Sequence, residues 1–472
     1  MESIQVRSLF MITAFMSALG FCLPIQAGNA EKALNRRMRV QIRADIKTHG
    51  QAFSGPEIVP PAFLKAVEGK RLIGLGEGTH GTAEIQTLHG NIILALAQKG
   101  RVLVFLEDQF GSVAPINDFV QGVGADADLI KGMGGLYGVH RTLEFENFFR
   151  KVRTFNANAP ISARIEIYGV DDVIWPGPPD PTPALHNFSE ANHLNLDAQL
   201  AICASYIRGN PTIEDPKSST PEARTAFVIA AAQIRLAISG IASSVPGKVE
   251  AAVMANNLVR FIQEEEASFG VFGGIFVNEA KDGPTNTIIA GPRDSGMAEN
   301  IKLLMDAKIP TSGTSVFWAH NAHIGRISYL DGDPNSFPST WGSVGSILST
   351  WLHDAYFPLA TMTGVGTFRA HYMDAAGAAS PFQSVKAPAI LPDCLNAIAT
   401  GVIPSKPVFF QTTDVSLMGF TRPEFAVAGL YMALHPNYFF IQTVPGMAYA
   451  GVVSFPVSTA AHDMNLRITG QP

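Results

Sequence analysis

The sequence predicts an α/β protein, with a parallel or mixed central sheet flanked by helices and a helical insertion. Three observations carry that expectation. Short apolar runs at Leu72–Leu75, Val102–Leu106, Ile165–Val170 and Ser315–Ala319 have the continuous hydrophobicity of strands buried on both faces. Segments with helical spacing lie between them, as the crossover connections of parallel strands require. A proline-rich stretch, Pro176-Gly-Pro-Pro-Asp-Pro181, then interrupts the pattern and is followed by long helical segments.

In chain order, the first run opens into Gly74-Leu-Gly-Glu-Gly-Thr-His-Gly81, a glycine-rich turn carrying a carboxylate and an imidazole three residues apart. A helix is expected directly after it, with Ile85, Leu88, Ile92 and Leu96 on one face and Gly100 closing it. The second run ends at Glu107 and Asp108, the third at Asp171 and Asp172, and the fourth at His320, Asn321 and His323. In open α/β sheets ligands bind beyond the carboxyl ends of the strands, so adjacent strands would bring these groups to one edge. Singly, each has a structural explanation: a strand-end histidine as a hydrogen-bonding group, an acid as the N-cap of the next helix. Their recurrence at four strand ends argues for a site. Helical patterns at Ala198–Ile207, Glu222–Ser239 and Val249–Glu266 form the insertion, a candidate roof over that site, and helix resumes at Ser295–Asp306.

The expected organisation is a leader over 1–30, a first part of the α/β core over 31–176, a helical insertion or lid over 177–289, and a second part of the core over 290–472. Arg7 precedes an apolar stretch from Leu9 to Leu23, followed by Pro24 and small residues at Ala27, Gly28 and Ala30. This is the layout of a secretory signal peptide cleaved after Ala27 or Ala30, and it implies a secreted or periplasmic protein with no membrane association after cleavage. An uncleaved anchor is the alternative reading. Cleavage would remove Cys22 and leave Cys203 and Cys394, which permit one disulfide or two separate buried thiols. With 16% charged residues, 47% hydrophobic residues and a net charge of -6, the composition excludes a disordered chain and gives no reason to expect a nucleic-acid partner. Oligomeric state is not legible.

Gly74–Gly81, Glu107, Arg293-Asp-Ser-Gly-Met-Ala-Glu-Asn300 and Trp318-Ala-His-Asn-Ala-His323 resemble, in sequence and in order, the erythromycin esterase family. Glu144 within 141–156, Gly169-Val-Asp-Asp172 and Gly342-Ser-Val-Gly-Ser-Ile-Leu348 are smaller matches. The resemblance spans roughly 70–370 and implies hydrolysis of a small-molecule ester or lactone, in the name-giving members a macrolide. Carried over residue by residue, it implies His80 as the base that activates water, with Glu77, Glu107, His320 and His323 completing the catalytic set. His89, Asp171, Arg293 and Asn321 are then candidate substrate contacts. His89 stands where the family carries an arginine, and an imidazole lacks both the guanidinium fork and the permanent charge. The reaction type is therefore better specified than the substrate.

The chemistry of the residues points the same way. Ester hydrolysis by water needs a base that titrates near neutrality, a carboxylate to orient it, and donors for the developing oxyanion. Backbone N–H groups at the helix start, or His320 and His323, could supply those donors. No Gly-x-Ser-x-Gly elbow is present, which disfavours a serine nucleophile. No cofactor is expected. A divalent metal held by Glu77, His80, Glu107, His320 and His323 is the alternative chemistry, although His320-x-x-His323 after a strand lacks the spacing of a helical zinc motif. A non-catalytic binding relative is the third reading.

Overall fold

The computed structural model describes residues 24–172, 180–209, 220–261, 291–309, 313–327, 343–373, 379–417, 422–425, 427, 430–432 and 440–464. Twelve strands are found among them: β1 (Gln51–Ala52), β2 (Leu72–Glu77), β3 (Val102–Gln109), β4 (Ile165–Asp171), β5 (Thr314–His320), β6 (Tyr356–Met373), β7 (Ala379–Lys386), β8 (Val408–Gln411), β9 (Arg422–Phe425), β10 (Leu430–Met432), β11 (Phe440–Thr443) and β12 (Gly451–Ser458). The main sheet runs β1–β8–β12–β6–β2–β5–β3–β4, with β7 and β10 also paired to β6. From β12 to β4 all neighbours are parallel, and β8 joins the edge antiparallel. The chain is thus a mixed α/β sheet with helices on both faces, as its sequence predicts. All four sequence-read strands are present, as β2, β3, β4 and β5.

Strand order places the switch point at β2. From β2 the chain steps across β5's position to β3 and β4, returns through β5, and then fills the other side with β6. Crossovers diverging on either side of one strand leave a crevice beyond its carboxyl end. β2 and β5 run in register, Glu77 opposite His320, with Thr361 of β6 on the other flank of Glu77.

Alternation decides which face each residue serves. Ile73, Leu75, Val104, Leu106, Val316 and Trp318 pack against helix Ala83–Ala97 and helix Leu143–Asn158, while Leu72, Leu103, Phe105 and Phe317 pack against helix Gly291–Lys308 on the opposite side. The segment beyond Pro181 is helical, at Thr182–Ala191, Asp197–Gly209, Pro221–Ser239 and 248–261. It has a core of its own, built on Leu185, Leu200, Phe227, Ile234, Leu258 and Phe261. Helix Pro24–His49 spans the expected cleavage positions, whereas the apolar leader itself lies outside the described residues. No helix among the described residues is long and apolar enough to cross a membrane. Cys203 and Cys394 are separate buried thiols, each pushed up to about 12 chiefly by burial.

The turn after β2 is held on three sides. Gly78 N–H donates to Thr361 C=O at 2.9 Å, Val427 N–H to Gly78 C=O at 2.9 Å, and Gly81 C=O accepts from Arg369 N–H at 2.8 Å and Ala461 N–H at 2.9 Å. A Cβ at Gly81 would sit 1.9 Å from the Arg369 carbonyl oxygen, so glycine is required there by backbone approach. Gly81→Ala is expected to cost at least about 1–3 kcal/mol, the range for overpacking a closed site. A urea midpoint equal to that of the parent chain would contradict it.

Candidate active site

Glu77 ends β2 with its side chain on the face shared with Trp318, and both of its oxygens are used. Oε2 accepts from His80 Nδ1 at 2.7 Å and Oε1 accepts from Trp318 Nε1 at 2.9 Å. Because Nδ1 carries the proton given to Glu77, His80 is left with its lone pair on Nε2. That nitrogen lies 3.7 Å from Glu107 Oε2, a separation at which one water can sit within hydrogen-bond reach of both.

Glu107 points to the opposite face of β3 from its neighbour Asp108. Its Oε2 accepts the His320 backbone N–H at 2.8 Å, and its Oε1 meets Arg293 Nη2 at 2.8 Å and His323 Nε2 at 3.1 Å. Burial alone would push this carboxyl up, but His323, Arg293 and His80 together hold it well below the usual carboxylate range. His323 is itself driven up to about 10: Glu107 and Asp294 overcome the effect of burial, and its Nδ1 donates to Asp294 Oδ1 at 2.8 Å. The Arg293 guanidinium beside its Nε2 works against the charge, but the two carboxylates prevail and the imidazolium holds them together.

His320 has the opposite character. Its Nδ1 accepts from Ala322 N–H at 3.2 Å, which leaves the proton on Nε2, 3.3 Å from the Gly78 carbonyl. Burial, reinforced by the nearby His80, depresses it to about 3, so it is a neutral structural ring that ties the β5 end to the β2 turn.

The structure thus brings Glu77, His80, Glu107, His320 and His323 together across the ends of β2, β3 and β5. The four candidate substrate contacts lie differently. Arg293 is spent on its neighbours: Nε reaches Asp171 Oδ1 at 3.0 Å, Nη2 reaches Glu107 and Asp171, and Nη1 lies 3.0 Å from His323 Nε2. Asp171 is correspondingly enclosed by Arg293. Asn321 is fully buried and donates to Thr361 C=O and the Glu424 carboxylate. Gly76 makes room for it, since a Cβ there would sit 2.2 Å from Asn321 Oδ1. His89 is also fully buried, edge-on to Trp318, with Nε2 3.0 Å from Thr361 Oγ1. Burial depresses it to about 3, so it is an uncharged ring behind Trp318 and stands one layer beneath the Glu77–His80 pair.

Other residues of this region were not singled out as site candidates from the sequence. Asp108, on the His80 face of β3, accepts from Gln109 N–H, Tyr137 N–H and His140 Nδ1, each at 2.8 Å. Asp294 holds His323, and Trp318 holds Glu77. Asp108, Asp294 and Trp318 belong to segments whose chemistry was visible. His140 does not, and only the adjacency of two acids at 107 and 108, which alternation sends to opposite faces, signals that a second partner is needed.

Glu77, His80 and His140 are the one set among the described residues with possible ligand atoms all within 4.8 Å of one another. Both Glu77 oxygens accept hydrogen bonds, and each ring gives its Nδ1 to a carboxylate. Those carboxylate partners on Nδ1 leave each ring's Nε2 as a possible ligand atom, so the set is compatible with a divalent ion. Of the expected oxyanion donors, Ala83 N–H is given to Thr459 C=O at 2.9 Å, and the His320 and His323 rings are committed as described.

The family profile for erythromycin esterase matches residues 96–455. No curated protein sequence matches the chain. Among solved structures, the fold is similar to that of a Bacillus cereus protein, with a TM-score of 0.72 at 17% identity over 90% of this chain and 98% of that one. A succinoglycan biosynthesis protein is similar with a TM-score of 0.70 at 16% identity, over 90% and 99% of the two chains. A mutant of the erythromycin esterase EreC in its open conformation gives a TM-score of 0.60 at 15% identity, over 86% and 96%. At these identities the three structures speak for the fold, and the profile, which covers most of the chain, speaks for the family. The chain belongs to the erythromycin esterase family.

Proposed function

We propose that the protein hydrolyses a carboxylic ester or lactone by attack of a water that His80 deprotonates. One observation carries this reading. Glu77, anchored by Trp318, fixes His80 in the tautomer whose free lone pair faces Glu107, and this is the arrangement a general base needs. The water's proton passes to His80 Nε2, its oxygen attacks the acyl carbon, and Glu77 stabilises the imidazolium that forms. Glu107, kept ionised, orients the water from the other side. Arg293, Asp171, His323 and Asp294 hold Glu107 in place.

The substrate class is left at esters and lactones, because the ring at His89 offers no permanent charge and lies beneath the set. The apolar leader supports export to the periplasm or the medium. The test is turnover of a panel of aryl esters, alkyl esters and macrocyclic lactones, before and after exhaustive chelation. Turnover that persists after chelation is expected. Loss on chelation that zinc restores would replace this reading with metal-dependent hydrolysis, and a chain inert toward the whole panel would remove it.

A further inference from the structure

The water-activation reading assigns no group to the departing oxygen. An alkoxide is a poor leaving group, and its protonation is the second half of ester hydrolysis. Three features single out one residue for that task.

His140 ends the short turn Gly138–His140 and is 1% exposed, on the same face of the sheet as His80. The rings of His80 and His140 lie with centroids 6.1 Å apart at an interplanar angle of 85°, and ligand atoms of Glu77, His80 and His140 fall within 4.8 Å of one another. The two imidazoles therefore meet edge to face at contact distance, side by side beyond the end of β2. His140 Nδ1 is given to Asp108, which directs Nε2 away from that carboxylate.

The pair is positioned with some care. Gln86, 1% exposed, donates through Nε2 to the His80 carbonyl at 2.6 Å and to the Val139 carbonyl at 3.4 Å, while its Oε1 accepts from Thr142 Oγ1 at 2.7 Å. One side chain thus sets the spacing between the two histidine turns. Arg369 Nη1 holds the Gly138 carbonyl at 2.7 Å from the far side.

Burial raises Asp108 above its ordinary value, and the hydrogen bonds it accepts from His140, Tyr137 N–H and Gln109 N–H work against that rise and toward an imidazolium beside it. Although burial works against the charged ring, Asp108, Glu77 and Glu107 raise His140 above its ordinary value. Two histidines with carboxylate partners then have different tasks: His80 takes a proton and His140 gives one.

We infer that His140 is the general acid of the reaction, delivering the proton on Nε2 to the leaving oxygen, with Asp108 as its positioning residue. In the balanced step the water oxygen bonds to the acyl carbon and its proton goes to His80. The acyl–oxygen bond breaks, its electron pair stays on the departing oxygen, and that oxygen takes the proton of His140. Loss of the His80 proton and uptake of one by His140 from solvent restore the site.

The inference rests on the water-activation reading, and the experiment separates the two. A pair of esters sharing one acyl group is used, one releasing p-nitrophenolate and one releasing an alkyl alcohol. An aryl oxide leaves without protonation and an alkoxide does not, so His140→Gln is expected to reduce alkyl-ester turnover by about 100-fold or more and aryl-ester turnover by less than about 3-fold. Retained aryl-ester turnover also shows that the variant is folded. Equal loss on both esters, or no loss on either, overturns the assignment while leaving His80 as base intact. Should His140→Gln not fold, Asp108→Asn keeps the ring and reads the same contrast: selective loss on the alkyl ester supports the proposal and uniform loss overturns it. A parent chain that hydrolyses neither ester overturns both readings together.

Discussion

Replacing His80 by Asn is expected to lower ester turnover by about 10³-fold while leaving the protein folded. The size follows from the role: a positioned general base contributes roughly 10²–10⁴-fold, and the two histidines at and after the end of β5 are committed elsewhere. His320 is uncharged but uses both nitrogens on the backbone, and His323 is held as an imidazolium between Glu107 and Asp294. Neither can substitute. Asparagine is chosen because its amide can still donate to Glu77, which is fully buried and would otherwise lose one of its two partners. The loss should lie in kcat with little change in KM, since removing a base removes transition-state stabilisation and not ground-state binding. Steady-state kinetics on an aryl ester, with thermal melting as the control for folding, measures this. A kcat within tenfold of the parent would exclude His80 as the base.

The parts of this architecture that were legible in the sequence share a physical cause. β2 to β5 are covered by helices on both faces, so they appear as uninterrupted apolar runs, and their polar ends stand out against them. The C-terminal third offered no such contrast. β6 runs from Tyr356 to Met373, yet it contains Pro358, Gly364 and Gly366 and changes partners along its length, from β2 and β12 to β7 and β10. A strand serving two environments has neither a constant alternation nor a continuous run.

The site divides in the same way. Glu77, Glu107 and His320 were visible because they terminate strands. Their relation was not, because Glu107 and Asp108 are adjacent in sequence and serve opposite faces of the sheet. His140 comes from a turn with no hydrophobic signature, and it meets Asp108 only through tertiary packing at a sequence separation of 32 residues. The substrate-facing expectation for His89, Asp171, Arg293 and Asn321 meets burial and committed hydrogen bonds. Such residues frame a site, and sequence position alone does not distinguish framing from lining.

Arg293→Met is expected to be among the most destabilising substitutions in the chain, at about 3–5 kcal/mol. Arg293 is the shared counter-charge of Asp171, whose side chain is 0% exposed, and of Glu107, at 7%. Removing the guanidinium leaves two buried carboxylates close to each other beside Asp294 and takes away the counter-charge they share. Methionine preserves the aliphatic bulk, so lost packing contributes little and the cost is electrostatic. Two consequences separate charge from packing. Adding Asp171→Asn to Arg293→Met should recover part of the loss, because a neutral amide needs no counter-charge, whereas independent effects would add.

The pH dependence should also change sign. In the parent chain Glu107 is depressed below its unfolded value, so its contribution is present above that value and is lost as pH falls. In Arg293→Met Glu107 loses that counter-charge, burial then raises it, and it binds protons more tightly when folded than when unfolded. Its penalty is then relieved as pH falls, and the stability gap between variant and parent should narrow between pH 7 and pH 5. Urea denaturation at the two pH values measures it. A gap that is constant or widens toward pH 5 would show that Arg293 acts through packing and not as the counter-charge that keeps Glu107 ionised.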